Sequence, residues 1–460
     1  MTESWFPIRA AAALSVAVLL LAGVAAASAS AATLEVSLVK NSNNDAAPSS
    51  SWTSFIAAQT SRDTSRVLYL SSLASGFGGA PLASGRQLLH TPTYLVRASL
   101  GTPPQRLLLA VDTSNDAAWV PCAGCHGCPT TAPSFNPASS ATFRPVPCGA
   151  PPCSQAPNPS CTSLAKSKNS CGFSLSYGDS SLDATLSQDN LAVTANGGVI
   201  KGYTFGCLTK SNGSAAPAQG LLGLGRGPLG FVAQTKGIYE GTFSYCLPSY
   251  YRSAANFSGS LTLGRKGQPA PEKMKTTPLL ASPHRPSLYY VAMTGVRIGK
   301  KSVPIPPSAL AFDAATGAGT VLDSGTMFAR LAQPAYAAVR DEVRRRVAGS
   351  LRRRGGGGAS VSVSSLGGFD TCYNVSTVAW PAVTLVFGGG MEVRLPEENV
   401  VIRSTYGSTS CLAMAASPAD GVNAALNVIG SLQQQNHRVL FDVPNARVGF
   451  ARERCTAAFA

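Results

Sequence analysis

Two acidic turns in matching settings, about half a chain apart, constrain this sequence more than any other feature. Asp112-Thr113-Ser114 follows the apolar run Leu107 to Val111, and Asp323-Ser324-Gly325-Thr326 follows Val321-Leu322. At a nearly equal distance further on, each is followed by an apolar-apolar-glycine triplet, Leu221-Leu222-Gly223 and Val428-Ile429-Gly430. Either acidic string alone is an ordinary turn or cap. Their paired spacing reads as one lobe written twice. Two lobes packed about a pseudo-twofold axis each set an aspartate on a turn at the end of a buried strand, and the carboxylates meet in the cleft between them.

Two carboxylates about 3 Å apart cannot both ionise, so such a pair holds one shared proton in weak acid. One takes a proton from a bound water while the other protonates a peptide carbonyl oxygen. This is peptide hydrolysis with neither metal nor cofactor nor covalent intermediate, and Asp112 and Asp323 are its candidate catalytic residues.

Length and composition are consistent with that reading. A chain of 460 residues exceeds what one hydrophobic core usually supports. Apolar residues at 45%, with Gly 45 and Pro 32, describe a folded, turn-rich chain rather than a disordered one. Short runs such as Tyr94 to Leu100, Leu191 to Thr194, Leu261 to Leu263 and Val383 to Phe387 read as strands. The fold class expected is all-β and bilobal.

Arg9, the apolar stretch Ala10 to Ala27 and the small residues after it read as a cleaved secretory signal over residues 1–31. A signal anchor is the rival, because the stretch nearly spans a bilayer. Without the signal, no membrane association is expected. In an exported chain, twelve cysteines point to disulfides. Eight fall early, Cys122, Cys125, Cys128, Cys148, Cys153, Cys161, Cys171 and Cys207, and Cys246, Cys372, Cys411 and Cys455 complete the set. Six bridges are expected, with unreadable connectivity. The CxxCxxC string around His126 would suggest zinc or an iron–sulfur cluster in a cytosolic protein; the export route favours bridges, and no metal is expected. Asn212, Asn256 and Asn374 begin N-glycosylation sequons.

Residues 32–89 differ in character. Trp52, Phe55, Ile56, Val67, Leu68 and Leu70 alternate with Arg62, Asp63 and Arg66 as in one or two amphipathic helices. They read as a removable pro-segment covering the cleft, with an ordinary N-terminal extension as the rival. Four basic against three acidic residues from Glu35 to Arg86 give little support to release by loss of salt bridges in acid. The lobes are then placed at 90–250 and 251–460.

Further strings carry a resemblance. They are Gly101-Thr102-Pro103-Pro104-Gln105, Trp119-Val120-Pro121-Cys122, Tyr177-Gly178-Asp179, Tyr203-Thr204-Phe205-Gly206-Cys207, Phe243-Ser244-Tyr245-Cys246 and Gln433-Gln434-Gln435-Asn436. With the aspartates, they make the chain resemble plant pepsin-like aspartic proteases of the nepenthesin type, nearest the atypical apoplastic and nucellin-like members. The resemblance implies the bilobal pepsin-like acid protease fold and a secreted endopeptidase acting on peptide or protein substrates. It also implies that Tyr177, Gly178 and Asp179 form a flap, that Trp119 lies beneath it to receive the tyrosine hydroxyl, and that Thr113 and Thr326 brace the two catalytic loops. The stretch from Cys122 to Cys171 resembles the nepenthesin insertion. The extracellular wall space, or apoplast, is the expected location, with the vacuole second, and a monomer is expected.

The first motif departs from the family pattern. Ser114 stands where glycine is usual, and Asn115 stands where a serine usually donates to the outer carboxylate oxygen; the Asn115 amide can donate instead. Asp116 adds a nearby negative charge. Weaker or pH-shifted activity is expected. The alternative class is a pepsin-like fold that has lost its chemistry, as in plant proteins that inhibit glycosidases or bind wall components.

Seven arginines between Arg340 and Arg354 supply part of the formal charge of +15. An exposed helix end with a flexible Gly355 to Gly358 loop accounts for them. Polyanionic cell-wall polysaccharide is the partner kept open, and nucleic acid is not expected. Gly225-Arg226-Gly227-Pro228-Leu229-Gly230 fits a dinucleotide glycine pattern, but Pro228 and the β-rich context argue against a phosphate loop.

Overall fold

The structure, a computed structural model, describes residues 32–38, 56–64 and 93–455, apart from 162–168, 194–197, 250–258, 266–267, 269–273, 354–362, 375–377, 405–407 and 420–423. The proposed signal, Asn256 and the polyglycine loop lie outside those residues. The fold is mostly β, as expected, with the strands grouped in one large sheet and two four-stranded sheets.

Four strands open the architecture: β1 (Ala32–Leu38), β2 (Tyr94–Leu100), β3 (Gln105–Asp112) and β4 (Trp119–His126). β2 alternates buried and less buried residues, the period-two pattern of a sheet with one face on a core. β3 is buried throughout its last four residues, so it ends inside the protein at Asp112. The triplet Leu221–Gly223 runs parallel to β3, with Gly223 opposite Asp112. In the second half, Gly319–Leu322 runs parallel to Leu426–Ile429, with Leu322 opposite Ile429. The duplicated strings thus form the same strand pair twice.

A shared base joins the halves. Thr242–Cys246 pairs antiparallel with both Gly259–Leu263 and His437–Asp442, and β1 adds to Gly259–Leu263 and to β2. Phe243 stacks on Phe441 and Tyr289 packs edge-on against Phe441, with ring centroids 4.6 Å apart in both pairs. Cys246–Cys455 ties the last described residue to this base.

All twelve cysteines are paired. Besides Cys246–Cys455 the bridges are Cys122–Cys207, Cys125–Cys128, Cys148–Cys161, Cys153–Cys171 and Cys372–Cys411. The expected six bridges are therefore present, and the CxxCxxC string is divided between two of them. Among the described residues no cluster of His, Cys, Asp and Glu is arranged to hold a metal, and no helix is long and apolar enough to cross a membrane.

The main departure from a pure β reading is the Gln333–Arg353 helix. Ala335, Val339, Val343 and Val347 recur every fourth residue and are buried, which gives it a single apolar stripe. Most of its arginines are engaged with acids. Arg340 and Arg344 reach Asp370, and Arg345 and Arg346 hold Glu342, drawing that carboxyl down to about 2 through their hydrogen bonds.

Candidate active site

Asp112 ends β3, and Asp323 directly follows the Gly319–Leu322 strand. The parallel partner fixes each turn: Leu224 N–H donates to the Asp112 carbonyl at 2.8 Å, and Asp323 N–H donates to the Ile429 carbonyl at 3.2 Å. Both carboxylates are buried. The fold brings them together at the junction of the lobes. Ser114 Oγ lies 2.8 Å from Asp112 Oδ1 and 2.8 Å from Asp323 Oδ1.

Besides the Ser114 hydroxyl, each carboxylate takes a backbone donor and a side-chain donor from its own turn. The inner oxygens accept from Ser114 N–H at 2.8 Å and Gly325 N–H at 2.9 Å. The outer oxygens accept from Asn115 Nδ2 at 2.8 Å and Thr326 Oγ1 at 2.6 Å. Asn115 therefore makes the bond that a serine would make in the usual motif. The glycine at the third position of the motif survives in one lobe only, and its reason is steric. A Cβ at Gly325 would stand 2.4 Å from Asp112 Oδ2.

The brace between the loops differs from expectation in one partner. Thr113 N–H donates to Ser324 Oγ at 3.1 Å, Ser324 N–H donates to Thr113 Oγ1 at 3.0 Å, and the two hydroxyls reach across to Leu322 and Val111 carbonyls. Thr326 takes no part in these bonds; its hydroxyl holds Asp323. The pseudo-twofold explains the correction, since Thr113 and Ser324 each directly follow their aspartate and so face each other. Beneath Asp323, Gln434 bonds the carbonyls of Ile429 and Asp323 at 2.8 and 3.4 Å and accepts the Tyr245 hydroxyl.

The hairpin Gly172–Tyr177 and Ser180–Ala192 pairs Tyr177 with Ser180 around a turn whose Gly178 has φ 58°. Asp179 pins this tip to the neighbouring loop, accepting from Ala215 N–H at 2.8 Å and Ser214 N–H at 3.1 Å. Tyr177 and Trp119 meet with centroids 5.7 Å apart at 74°. The expected hydrogen bond between them is not made, because the rings pack edge to face, and the buried Trp119 Nε1 has no partner among the described residues.

Asp116 turns away from the dyad. Its carboxylate accepts from Gly227 N–H at 2.7 Å and from Ser287 Oγ, and Arg226 lies close enough to attract it. Burial raises its pKa, and these partners oppose the rise. The supposed dinucleotide glycines make room for it: a Cβ at Gly225 would stand 2.4 Å from Asp116 Oδ1, and one at Gly227 2.0 Å from Oδ2. Sequence reading missed this cradle because its parts lie far apart in the chain.

A helix over 56–64 sits against both halves of the site. Ile56 is buried among Met327, Phe328 and Phe369. Asp63 accepts from the backbone N–H groups of Met327 and Phe328 at 2.9 and 2.7 Å, and Arg330 donates to the Thr60 carbonyl at 2.6 Å. On the other side Arg62 bonds the Ser214 carbonyl at 3.0 Å, where Tyr177 and Asp179 favour its charge although burial lowers its pKa. The helix thus links the flap to the second catalytic loop. Of the sequons, Asn212 and Asn374 are exposed.

Comparisons with known proteins identify what the chain is similar to. Family models described as xylanase inhibitor N-terminal and xylanase inhibitor C-terminal match residues 94–265 and 288–452. Aspartyl protease AED3 of Arabidopsis thaliana is 47% identical over 86% of this chain and 85% of its own length. Aspartyl protease 25 of Oryza sativa subsp. japonica is 45% identical over 87% and 90%. Aspartic proteinase nepenthesin-1 of Nepenthes gracilis is 32% identical over 79% and 78%. Among solved structures, basic 7S globulin from soybean aligns with a TM-score of 0.61 at 22% identity, over 79% of this chain and 94% of that one. Conglutin gamma from lupine seeds aligns at 0.62 and 21%, over 80% and 95%. At those identities the structural likeness establishes the bilobal fold alone.

Proposed function

The chain belongs to the plant pepsin-like aspartyl proteases of the nepenthesin-type group, an aspartic-type endopeptidase, and from that premise we propose that it hydrolyses peptide bonds in acid through Asp112 and Asp323 sharing one proton. The observation that carries this reading is the symmetric donor set. Each carboxylate has its inner oxygen on a backbone N–H and its outer oxygen on a side-chain donor, and one hydroxyl touches both inner oxygens. Such bonds fix the carboxylates before substrate arrives, which is what transition-state stabilisation requires.

In the proposed mechanism the substrate lies extended in the cleft, under the flap carrying Tyr177. The ionised carboxylate takes a proton from water as that water adds to the scissile carbonyl, and the protonated partner gives its proton to the carbonyl oxygen. Collapse of the tetrahedral intermediate returns a proton to the leaving amine. Thr113 and Ser324 keep the two turns in register meanwhile.

The chain enters the secretory route through its N-terminal signal and acts in the apoplast. Six bridges and two exposed sequons support that route. Residues 32–89 serve as the removable segment, with the helix over 56–64 as its anchor. The alternative, a fold that binds another enzyme without hydrolysis, draws on the family-model description and on Ser114 within the dyad; retention and full hydrogen bonding of both aspartates favour hydrolysis. Polysaccharide binding through Arg340–Arg354 is a weaker proposal, because Arg340, Arg344, Arg345 and Arg346 are already paired with acids.

The test is digestion of a denatured protein by the purified secreted chain. Cleavage at about pH 4, lost near neutrality and blocked by pepstatin, is the result expected. Cleavage that is insensitive to pepstatin and strongest at neutral pH would reject the reading.

A further inference from the structure

Ser114 occupies a position where the other lobe tolerates no side chain, and its hydroxyl is aimed between the two carboxylates. The contacts of Ser114 Oγ with Asp112 Oδ1 and with Asp323 Oδ1 are both 2.8 Å, hydrogen-bond distances for oxygen pairs. A hydroxyl has one proton to donate and two lone pairs to accept with. It makes both contacts, one of them to a charge, only when one carboxyl is protonated and donates to Oγ, while Oγ–H donates to the ionised partner. With both carboxylates ionised one contact lacks a proton, and with both protonated neither bond meets a charge.

We propose that Ser114 is a positioning residue that bridges the dyad's shared proton, stabilising the singly protonated pair over the states with no proton and with two. This rests on reading the pair as a proton-sharing dyad. Stabilising the middle state of a coupled pair separates its two macroscopic ionisation steps, so the working pH window broadens at both ends. The bond from Oγ–H to the ionised carboxylate is charge-assisted, the stronger class of hydrogen bond, and it exists with its companion only in the singly protonated state.

Among the described residues, the other ionisable groups nearby do not supply this function. Tyr245, on the base strand, has its pKa raised well above the usual tyrosine value by burial and then by Asp323, Tyr289, Tyr94 and Asp112, so it stays neutral throughout. Asp116 is tied to Gly227 and Ser287 with Arg226 beside it. Arg62 lies at the flap, facing Tyr177 and Asp179. Asn115 and Thr326 carry no charge and bond the outer oxygens.

The experiment compares the secreted chain with S114A and S114G. Two readouts are taken: the pH profile of kcat/KM, and titration of aspartate carboxyls by NMR after ¹³C labelling. Both variants should keep the fold, since they only remove atoms. The expected result is a narrower bell in which each limb moves inward by about one pH unit, with the same narrowing in the carboxyl titration. An unchanged bell, or movement of one limb only, would overturn the bridge. Because the titration needs no turnover, the two readings fail separately. A wild-type chain without peptidase activity whose carboxyl steps still close up in S114A would sink the hydrolase reading and support the bridge.

Discussion

The Asp63 carboxylate accepts a hydrogen bond from the backbone N–H of Met327, four residues beyond Asp323, and so anchors the helix over 56–64 directly on the second catalytic loop. Phe328 N–H makes the companion bond, and Gln59 steadies the carboxylate from the helix side. Burial is the main influence on this carboxyl and raises its pKa from 3.8 to about 6, against the opposing pull of Arg330 and the two backbone donors.

The sign of the pH effect follows from that shift. The docked segment binds a proton more tightly than the released one, so this carboxyl's contribution to docking is full below the ordinary value and is lost as pH rises through about 6. Asp63 therefore opposes release in acid, and docking tightens by up to on the order of a hundredfold across that window. Clipping of the segment by an added protease, referenced to D63N, is expected to be slower at about pH 4 than at about pH 7. A ratio that is flat or rises toward acid contradicts the assignment.

Asp116 and Gly227 are a matched pair, because the carboxylate fills the space that any side chain on Gly227 would need. G227A is expected to lower unfolding stability by about 1–3 kcal/mol through overpacking against the Asp116 carboxylate. Denaturant unfolding measures this; stability equal to wild type would show that the cradle relaxes freely.

The Thr113–Ser324 bonds make each catalytic turn depend on the other. T113V keeps the shape and removes the hydroxyl, so kcat is expected to fall about tenfold or more while KM changes little, the pattern for groups acting on transition-state geometry. A rise in KM at constant kcat would move Thr113 out of this role.

Asn115 supplies the donor on the outer oxygen of Asp112. Removing a donor to the ionised form disfavours that form, so in N115A the acid limb of the rate profile should shift to higher pH by about one unit, while N115S should restore it. An acid limb that stays in place in N115A would show that the amide is dispensable.

Much of this was readable in advance because it repeats. The two Asp turns and their glycine triplets predict a duplicated lobe with an aspartate at the end of a buried strand in each copy, and Asn115 could be assigned as a donor from its place in the motif. What escaped reading depends on residues brought together from far along the chain. Gly225 and Gly227 look like a phosphate loop until Asp116 is seen against them, and local pattern carries no sign of that contact. Ser324 rather than Thr326 meets Thr113 because the pseudo-twofold, not the resemblance of side chains, decides which residues face. The disulfide pairing and the docking of Asp63 on Met327 are likewise products of tertiary folding. The Gln333–Arg353 helix was only half legible: its arginines were visible as a run, but not the acids at Glu342 and Asp370 that neutralise most of them.

In the proposed mechanism Asp112 and Asp323 work as one proton-sharing pair. The most direct measurement is pepstatin-sensitive peptide cleavage at about pH 4 by D112N and by D323N, each checked for native unfolding behaviour. Either substitution alone is expected to lower kcat by several orders of magnitude, since residues acting as a unit fail together. Cleavage at near wild-type rate in either folded variant would contradict it.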